Sequence, residues 1–552
     1  MTTANDLDWW RDAVVYQVYI RSFADGNGDG VGDIAGLRGK LDHLARLGVD
    51  AIWINPWYPS PLADGGYDVA DYRAINPAFG DTAQAEALLA EAHERGLKVL
   101  LDIVPNHHSD RHEWFRQARA AAPGSPERER YVFRPGRGPD GAEPPNNWES
   151  MFGGPAWERV TEADGTPGEW YLHLFDVSQP DVNWNSAEVR DDFETTLRFW
   201  FDRGVDGFRI DVANSMIKQD GLPDLVEGVN DEQDGKHPYL DRDEVHEIYR
   251  SWRRIADSYD PPRVFVAEAW VPDPERLARY LRPDELQTAF SFNFLRAAWL
   301  APDLKDNIAE AIAENDAVGA PATWVLSNHD VARHLSRLAR TPESGRGYWL
   351  DDLVGRPADF DLGLRRARAA TLLMLALPGT AYLYQGEELG LPEAEDIPED
   401  QLDDPTWVLS GHTKRGRDGC RVPLPWSGDT PPYGFSINAA PGRGGSWLPQ
   451  PDAFAACTTE RLEADPESIL HLYRDALTIR RAHPALGVGG LRWKDSPEGT
   501  FAFSRDPGFT ALVNVSSAPV SLPEDAEVML ASGPLTRYGS VPADTTVWLR
   551  NA

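Results

Sequence analysis

Asp206-Gly207-Phe208-Arg209-Ile210-Asp211-Val212-Ala213-Asn214 is the stretch whose reading decides the fold. Gly207 to Ile210 reads as a short buried strand, preceded by an amphipathic helix, Ala187 to Arg203, that stops at Gly204. It delivers an Arg and an Asp where its apolar run ends, and charges in such a place are costly unless paired or used. Taken alone, the pattern fits a structural ion pair equally well. The other strands of the chain end the same way, and this repetition carries the argument.

Working outward, Ala13 to Ile20, Ala51 to Pro56 and Leu97 to Leu101 read as strands upstream. Helices Ile34 to Leu47, closed by Gly48, and Thr82 to Arg95, closed by Gly96, separate them. Downstream come strands Arg263 to Ala267, Thr288 to Phe292, Thr323 to Leu326 and Thr380 to Tyr384. Strands alternating with helices make a right-handed parallel sheet. Eight such strands predict an α/β fold, a (β/α)8 TIM barrel with an inserted subdomain after strand 3 and a C-terminal antiparallel β-domain.

The interruptions set the domains. The catalytic barrel takes residues 1–107 and 176–483, with an irregular Pro- and Gly-rich insertion at about 387–448. Residues 108–175 lack the rhythm and are too long for a plain loop, which predicts an inserted domain B. Helix Pro466 to Arg481 precedes short alternating strands such as Thr500 to Arg505 and Phe509 to Val515, so residues 484–552 form the β-domain.

Of the 552 residues, 41% are hydrophobic, enough for a large core in a globular chain. The 88 Asp and Glu outnumber the 54 Lys and Arg, and the charge of -34 argues against nucleic acid and anionic membrane as partners. It suits a neutral or cationic small ligand. Cys420 and Cys457 are the only cysteines, so disulfides do not frame the fold. Met1 to Arg11 is polar, without a signal-peptide pattern, and no run approaches about 20 apolar residues. The expectation is a cytoplasmic protein, monomeric or weakly homo-oligomeric.

The site of a barrel of this kind lies at the C-terminal ends of its strands. Asp102 and His107 stand after strand three, Arg209 and Asp211 at strand four, Glu268 after strand five, His329 and Asp330 after strand seven. Like charges gathered at one mouth are destabilising unless a ligand or reaction uses them. Carboxylates without a cysteine nucleophile or a catalytic metal motif suit glycosidic bond chemistry, where one attacks or steadies the sugar and another protonates the leaving oxygen. Trp57, Tyr58, Tyr67, Trp184 and Trp270 in the same loops suit stacking on sugar rings.

Asp25-Gly26-Asn27-Gly28-Asp29-Gly30-Val31-Gly32-Asp33 places oxygen side chains at alternate positions with glycines between them. The run matches the first nine positions of an EF-hand loop and departs at the twelfth, where Gly36 replaces Glu. Asp25, Asn27, Asp29 and Asp33, with the carbonyl of Val31, are candidate ligands of a structural Ca2+. No organic cofactor is expected.

Six blocks in order resemble glycoside hydrolase family thirteen, the α-amylase superfamily, in its α-glucosidase and oligo-1,6-glucosidase branch. They are Asp102 to His107, Gln179 to Trp184, Gly207 to Asp211, Ala267 to Trp270, Leu326 to Asp330 and Gly379 to Glu388. The resemblance implies Asp211 as nucleophile, Glu268 as general acid/base and Asp330 as transition-state stabiliser. Asp211 then has to be ionised, which Arg209 favours, and Glu268 has to start protonated. His107 and His329 would bind hydroxyls of the glucose, with Tyr67 under its ring. Asp64 and Arg421 resemble the pair that grips the non-reducing end, and the loop from Asp25 to Asp33 matches the branch's calcium loop.

The resemblance thus implies a retaining, exo-acting α-glucosidase on maltose and short malto-oligosaccharides, with some transglucosylation. Val212 looks like the α-1,6-preferring members, whereas Arg421 to Trp426 and Glu268-Ala269-Trp270 look more like a maltase-type subgroup. An oligo-1,6-glucosidase, or a transglucosylase or trehalose-forming isomerase using the same intermediate, is the alternative. A non-catalytic sugar-binding or transporter-associated relative would lack the three carboxylates or carry an anchor.

Overall fold

The computed structural model describes residues 7–550 except 163, 227–234, 342–346, 439–444 and 524–525. Eight strands form one parallel sheet: β1 Val14–Val18, β2 Ala51–Ile54, β3 Lys98–Ile103, β4 Gly207–Ile210, β5 Val264–Ala267, β6 Thr288–Ala289, β7 Thr323–Val325 and β8 Thr380–Tyr384. Their order, β7-β8-β1-β2-β3-β4-β5-β6, brings the two ends of the sheet together. Ser291 N–H donates to the Thr323 carbonyl at 2.9 Å and closes the barrel across that seam.

Alternation along each strand sorts side chains between two cores. Val15, Trp53, Leu100, Val266, Phe290 and Tyr382 pack together inside the barrel. Tyr16, Ile52, Ile54, Leu101, Phe208 and Ile210 face outward and pack with the helices. The consequence on β4 is direct. With Phe208 and Ile210 outside, Arg209 points inward, its guanidinium 5.0 Å from the centre of the Trp53 ring.

Local chemistry explains where the helices begin and stop. Asp81 and Gln84 form a reciprocal cap on Thr82–Glu94, and Gly48, at φ 96°, ends Leu41–Leu47 in the left-handed conformation that glycine tolerates. Ile34 to Leu47, read as one helix, is two: Ile34–Arg38 and Leu41–Leu47. The break falls at Gly39-Lys40, a poor helix former followed by a lysine whose ammonium sits 4.2 Å from the Trp426 ring centre. β6 is also shorter than Thr288 to Phe292. Ser291 leaves the ladder to close the seam, and Phe292 starts a helix, Phe292–Arg296.

Between β3 and β4 the chain forms a three-stranded antiparallel sheet with Pro167–Leu172 central between Phe133–Arg134 and Trp157–Thr161. Trp148, Trp157, Leu172 and Leu174 core it together with Leu222 and Tyr239, which follow β4. After β8, strands β9 Arg492–Lys494, β10 Thr500–Arg505, β11 Phe509–Asn514, β12 Glu527–Ala531 and β13 Thr545–Arg550 form an antiparallel sheet in the order β9-β10-β11-β13-β12. It is fastened to helix Phe360–Ala376, where the Trp548 indole N–H donates to the Leu372 carbonyl at 3.0 Å. Among the described residues no helix is long and apolar enough to cross a membrane.

Candidate active site

The strand-end residues converge. A cavity of about 570 Å³ at the C-terminal mouth of the barrel is lined by Asp64, Tyr67, His107, Asp211, Glu268, His329 and Asp330, all expected from the sequence. Arg209 and Arg421, 1% and 2% exposed, lie behind its wall.

Arg209 organises the floor. Its Nη1 is 2.7 Å from both Asp102 Oδ1 and Asp211 Oδ1, and its Nη2 is 2.6 Å from Glu268 Oε2. One guanidinium thus faces three buried carboxyls, and holding all three ionised leaves an excess of negative charge away from water. Burial pushes Asp102 up to about 6, against the pull of Arg209. Burial also drives Asp211 well above the ordinary carboxylate range; Arg209 pulls it down, while Glu268, Asp102 and Asp330 add to the rise. Arg209 favours the ionised form of Asp211, the direction the sequence implies, but burial and the neighbouring carboxyls outweigh it.

Glu268 is held at both oxygens. Oε1 accepts from the Trp270 indole N–H at 3.0 Å, and Oε2 accepts from the Val212 N–H at 3.2 Å. Val212 adopts φ 44°, a left-handed conformation that costs a β-branched residue on the order of 1–3 kcal/mol. That turn carries the backbone from Asp211 to the Glu268 carboxylate and faces Val212 to the cavity.

Asp330 is treated in the opposite way. Burial would raise it, but His329, Arg417 and Arg421 together hold it below the usual carboxylate range. The two arginines stay charged beside it, with Nη1 of Arg417 at 3.2 Å and Nη2 of Arg421 at 2.9 Å from Oδ1. Burial pushes His329 well below its ordinary value, so its ring is neutral near pH 7. It stacks on Tyr67, with centroids 5.1 Å apart and planes 9° apart. His107 is likewise lowered by burial, and its Nδ1 lies 3.2 Å from Asn106 Nδ2.

One expected pairing is different. Asp64 meets Arg417, whose Nη2 is 2.6 Å from Oδ1, while Gln179 Nε2 donates to Oδ2 at 3.0 Å. Arg421 instead donates to the His329 carbonyl at 2.9 Å and to Asp330. The reason is position. The short helix Asp418–Arg421 starts just after Arg417, so Arg417 reaches the cavity and Arg421 turns behind it. Arg417 was missed in the sequence, although a second arginine four residues before Arg421 was a visible signal. Phe152, Phe175, Tyr348 and Trp349 also line the cavity from irregular segments that offer no periodic signal. Of the remaining aromatics proposed for stacking, Trp57, Tyr58 and Trp184 are buried in the outer core and Trp270 lines the cavity.

The loop Asp25 to Asp33 does not line the cavity. Its donors, carboxylates, an amide oxygen and a carbonyl, are those a hard cation prefers. Asp25 Oδ1 accepts from Asn27 and Gly28 N–H, Oδ2 from Gly30 N–H, and Asp33 from Gly26, Asn27 and Gly36 N–H. These bonds shape the turn and leave carboxylate lone pairs free. Among the described residues no three His, Cys, Asp or Glu side chains are gathered in a metal-holding arrangement.

A parallel barrel whose mouth gathers Asp211, Glu268 and Asp330 with a stacked Tyr67–His329 pair, in a cavity lined by aromatic rings, defines a carbohydrate-active enzyme. Residues 17–489 match the family model described as alpha amylase, catalytic domain, and the chain belongs to that family, glycoside hydrolase family thirteen. It is 38% identical over 523 residues to a probable alpha-glucosidase of Rhizobium meliloti (strain 1021), covering 91% of this chain and 88% of that one. It is 34% identical over 546 residues to an oligo-1,6-glucosidase of Parageobacillus thermoglucosidasius, covering 92% and 90%. Among solved structures, a variant of the trehalulose synthase MutB superposes with a TM-score of 0.85 at 30% identity, covering 98% of this chain and 100% of that one. The alpha-glucosyl transfer enzyme XgtA gives 0.84 at 34% identity, covering 99% of each.

Proposed function

We propose that the protein is a retaining, exo-acting α-glucosidase that releases α-glucose from the non-reducing end of maltose and short malto-oligosaccharides. Asp211 attacks the anomeric carbon and Glu268 protonates the leaving oxygen; water activated by Glu268 then cleaves the glucosyl-enzyme. Asp330, held ionised by two arginines, stabilises positive charge developing on the ring. His107 and His329 hold hydroxyls, Tyr67 lies against the ring, and Asp64 with Arg417 takes the place at the closed end that the sequence reading gave to Asp64 and Arg421.

The observation that carries this reading is the Asp64–Arg417 pair at 2.6 Å in the cavity lining, a fixed, charge-paired grip suited to the hydroxyls of one terminal sugar. Retention is supported by the shared guanidinium, since one Arg209 fork holds both carboxyls close together, as the short separation of roughly 5–5.5 Å in retaining enzymes requires. Glucosyl transfer is a second reading, favoured by Phe152, Phe175, Trp270 and Tyr348, rings that would shield the intermediate and stack an acceptor sugar. Time courses on maltose, isomaltose, trehalose and sucrose test both. Glucose released faster from maltose is the expected result; dominant cleavage of isomaltose makes the enzyme an oligo-1,6-glucosidase, and a new disaccharide outpacing glucose makes it a transferase or isomerase.

The Asp25 to Asp33 loop we propose as a structural calcium site, supported by its donor set. Chelator treatment is expected to lower the melting temperature and added Ca2+ to restore it, with Asp25→Ala insensitive to both. Identical melting curves with and without chelator would remove the metal from the account.

A further inference from the structure

Donor and acceptor roles run without a break from Asp102 to His329. Asp102 Oδ2 accepts the Tyr67 hydroxyl at 2.8 Å and stands 3.5 Å from Asn55 Nδ2, which is itself 2.5 Å from the Tyr67 oxygen. Asn55 must turn its NH2 toward this acidic corner, because a flipped amide would set its carbonyl oxygen against a buried carboxylate. Its Oδ1 therefore faces the other way and accepts from Gln17 Nε2 at 2.9 Å. That contact orients Gln17 in turn. The second N–H of the same Nε2 points at His329 Nδ1, 2.7 Å away. An Nδ1 that accepts leaves the proton of a neutral imidazole on Nε2.

Gln17 is placed for this by strand parity. It follows Val15 on the inward face of β1 and is 1% exposed near the strand's C-terminal end. His329 Nε2 is buried and makes no hydrogen bond among the described residues, although it stands 3.1 Å from Asp330 Oδ2 at the cavity wall. A buried N–H without a partner is costly, and a ligand hydroxyl is what would satisfy it.

We propose that Gln17 is a positioning residue whose amide fixes His329 as the Nε2–H tautomer, so that the site offers one sugar hydroxyl a donor and an acceptor side by side. The hydroxyl accepts from His329 Nε2 and donates to Asp330. In the other tautomer, ring nitrogen and carboxylate would compete for the same hydroxyl proton. The catalytic consequence rests on the glucosidase reading; the tautomer itself does not.

The experiment uses the full chain labelled with 15N-histidine. A difference spectrum against His329→Asn isolates one ring of 13. The expected result is a protonated Nε2 and an unprotonated Nδ1 in the parent, and loss of that pattern in Gln17→Glu, whose carboxylate draws the proton to Nδ1. Gln17→Leu is expected to lower kcat/KM on a nitrophenyl α-glucoside about ten- to a hundredfold, the scale on which loss of the partner that orients a metal-bound histidine acts. A parent ring protonated at Nδ1 overturns the proposal, even if both variants fail to fold. So does an Nε2–H signal that persists in Gln17→Leu and Gln17→Glu with parental kcat/KM. The expected tautomer in a protein that turns over no α-glucoside would leave the role of Gln17 standing and defeat the functional reading.

Discussion

Asp211→Asn is expected to fold as the parent does and to lose about 10⁴- to 10⁶-fold in kcat/KM on maltose, the scale on which removing a covalent nucleophile acts. The amide is nearly isosteric, and its oxygen can still accept from Arg209 Nη1, which keeps its contact with Asp102. What disappears is the charge that, in the proposed mechanism, attacks the sugar. Burial drives the Asp211 carboxyl above its ordinary range, so the ionised side chain is held at a cost in the folded state. Removing it should leave the melting temperature unchanged or raised, as is common where a functional group is strained. Thermal melting beside progress curves on maltose measures both. Turnover within about tenfold of the parent would sink the assignment, since such a loss is only about 1.4 kcal/mol of transition-state stabilisation. A melting temperature that falls with the activity would show that Asp211 holds the fold.

The barrel was legible in the sequence because parallel strands are buried on both faces and read as short continuous apolar runs. β4 and β8 begin and end where their runs do. The carboxylates were legible for the converse reason: Asp102, Arg209 and Asp211 interrupt apolar runs at strand ends, where a charge needs an explanation. β6 was misjudged because Phe290 and Phe292 keep the alternation of a strand after the chain has left the ladder. Only the Ser291–Thr323 bond across the seam reveals that. The pairing of Asp64 was out of reach too, since its partner lies 353 residues away and local pattern cannot choose between Arg417 and Arg421. Gln17 was hidden in an ordinary buried strand, its role legible only as one link in a hydrogen-bonded chain.

Glu268→Gln should separate the two halves of the reaction. On maltose the leaving alcohol needs a proton, and a loss of about 10²- to 10⁴-fold is expected, the usual worth of a positioned acid or base. A nitrophenolate leaves without protonation, so the first step on a nitrophenyl α-glucoside should be largely spared. The second step is not spared, because Glu268 must also take the proton of the attacking water. Glucosyl-enzyme should therefore accumulate, visible as a burst of nitrophenol equal to the enzyme present, followed by a slow steady rate. The substitution also has a geometric cost. The parent carboxylate accepts from the Trp270 indole at one oxygen and from the Val212 N–H and Arg209 at the other, and an amide cannot accept on both sides. If that misfit alone lowered activity, both substrates would fall by one factor and no burst would form. That result would deny Glu268 its acid/base role and leave it a brace for the strained turn at Val212. A burst on the nitrophenyl substrate, with maltose nearly inert, requires both a covalent intermediate and a proton carried by this one side chain.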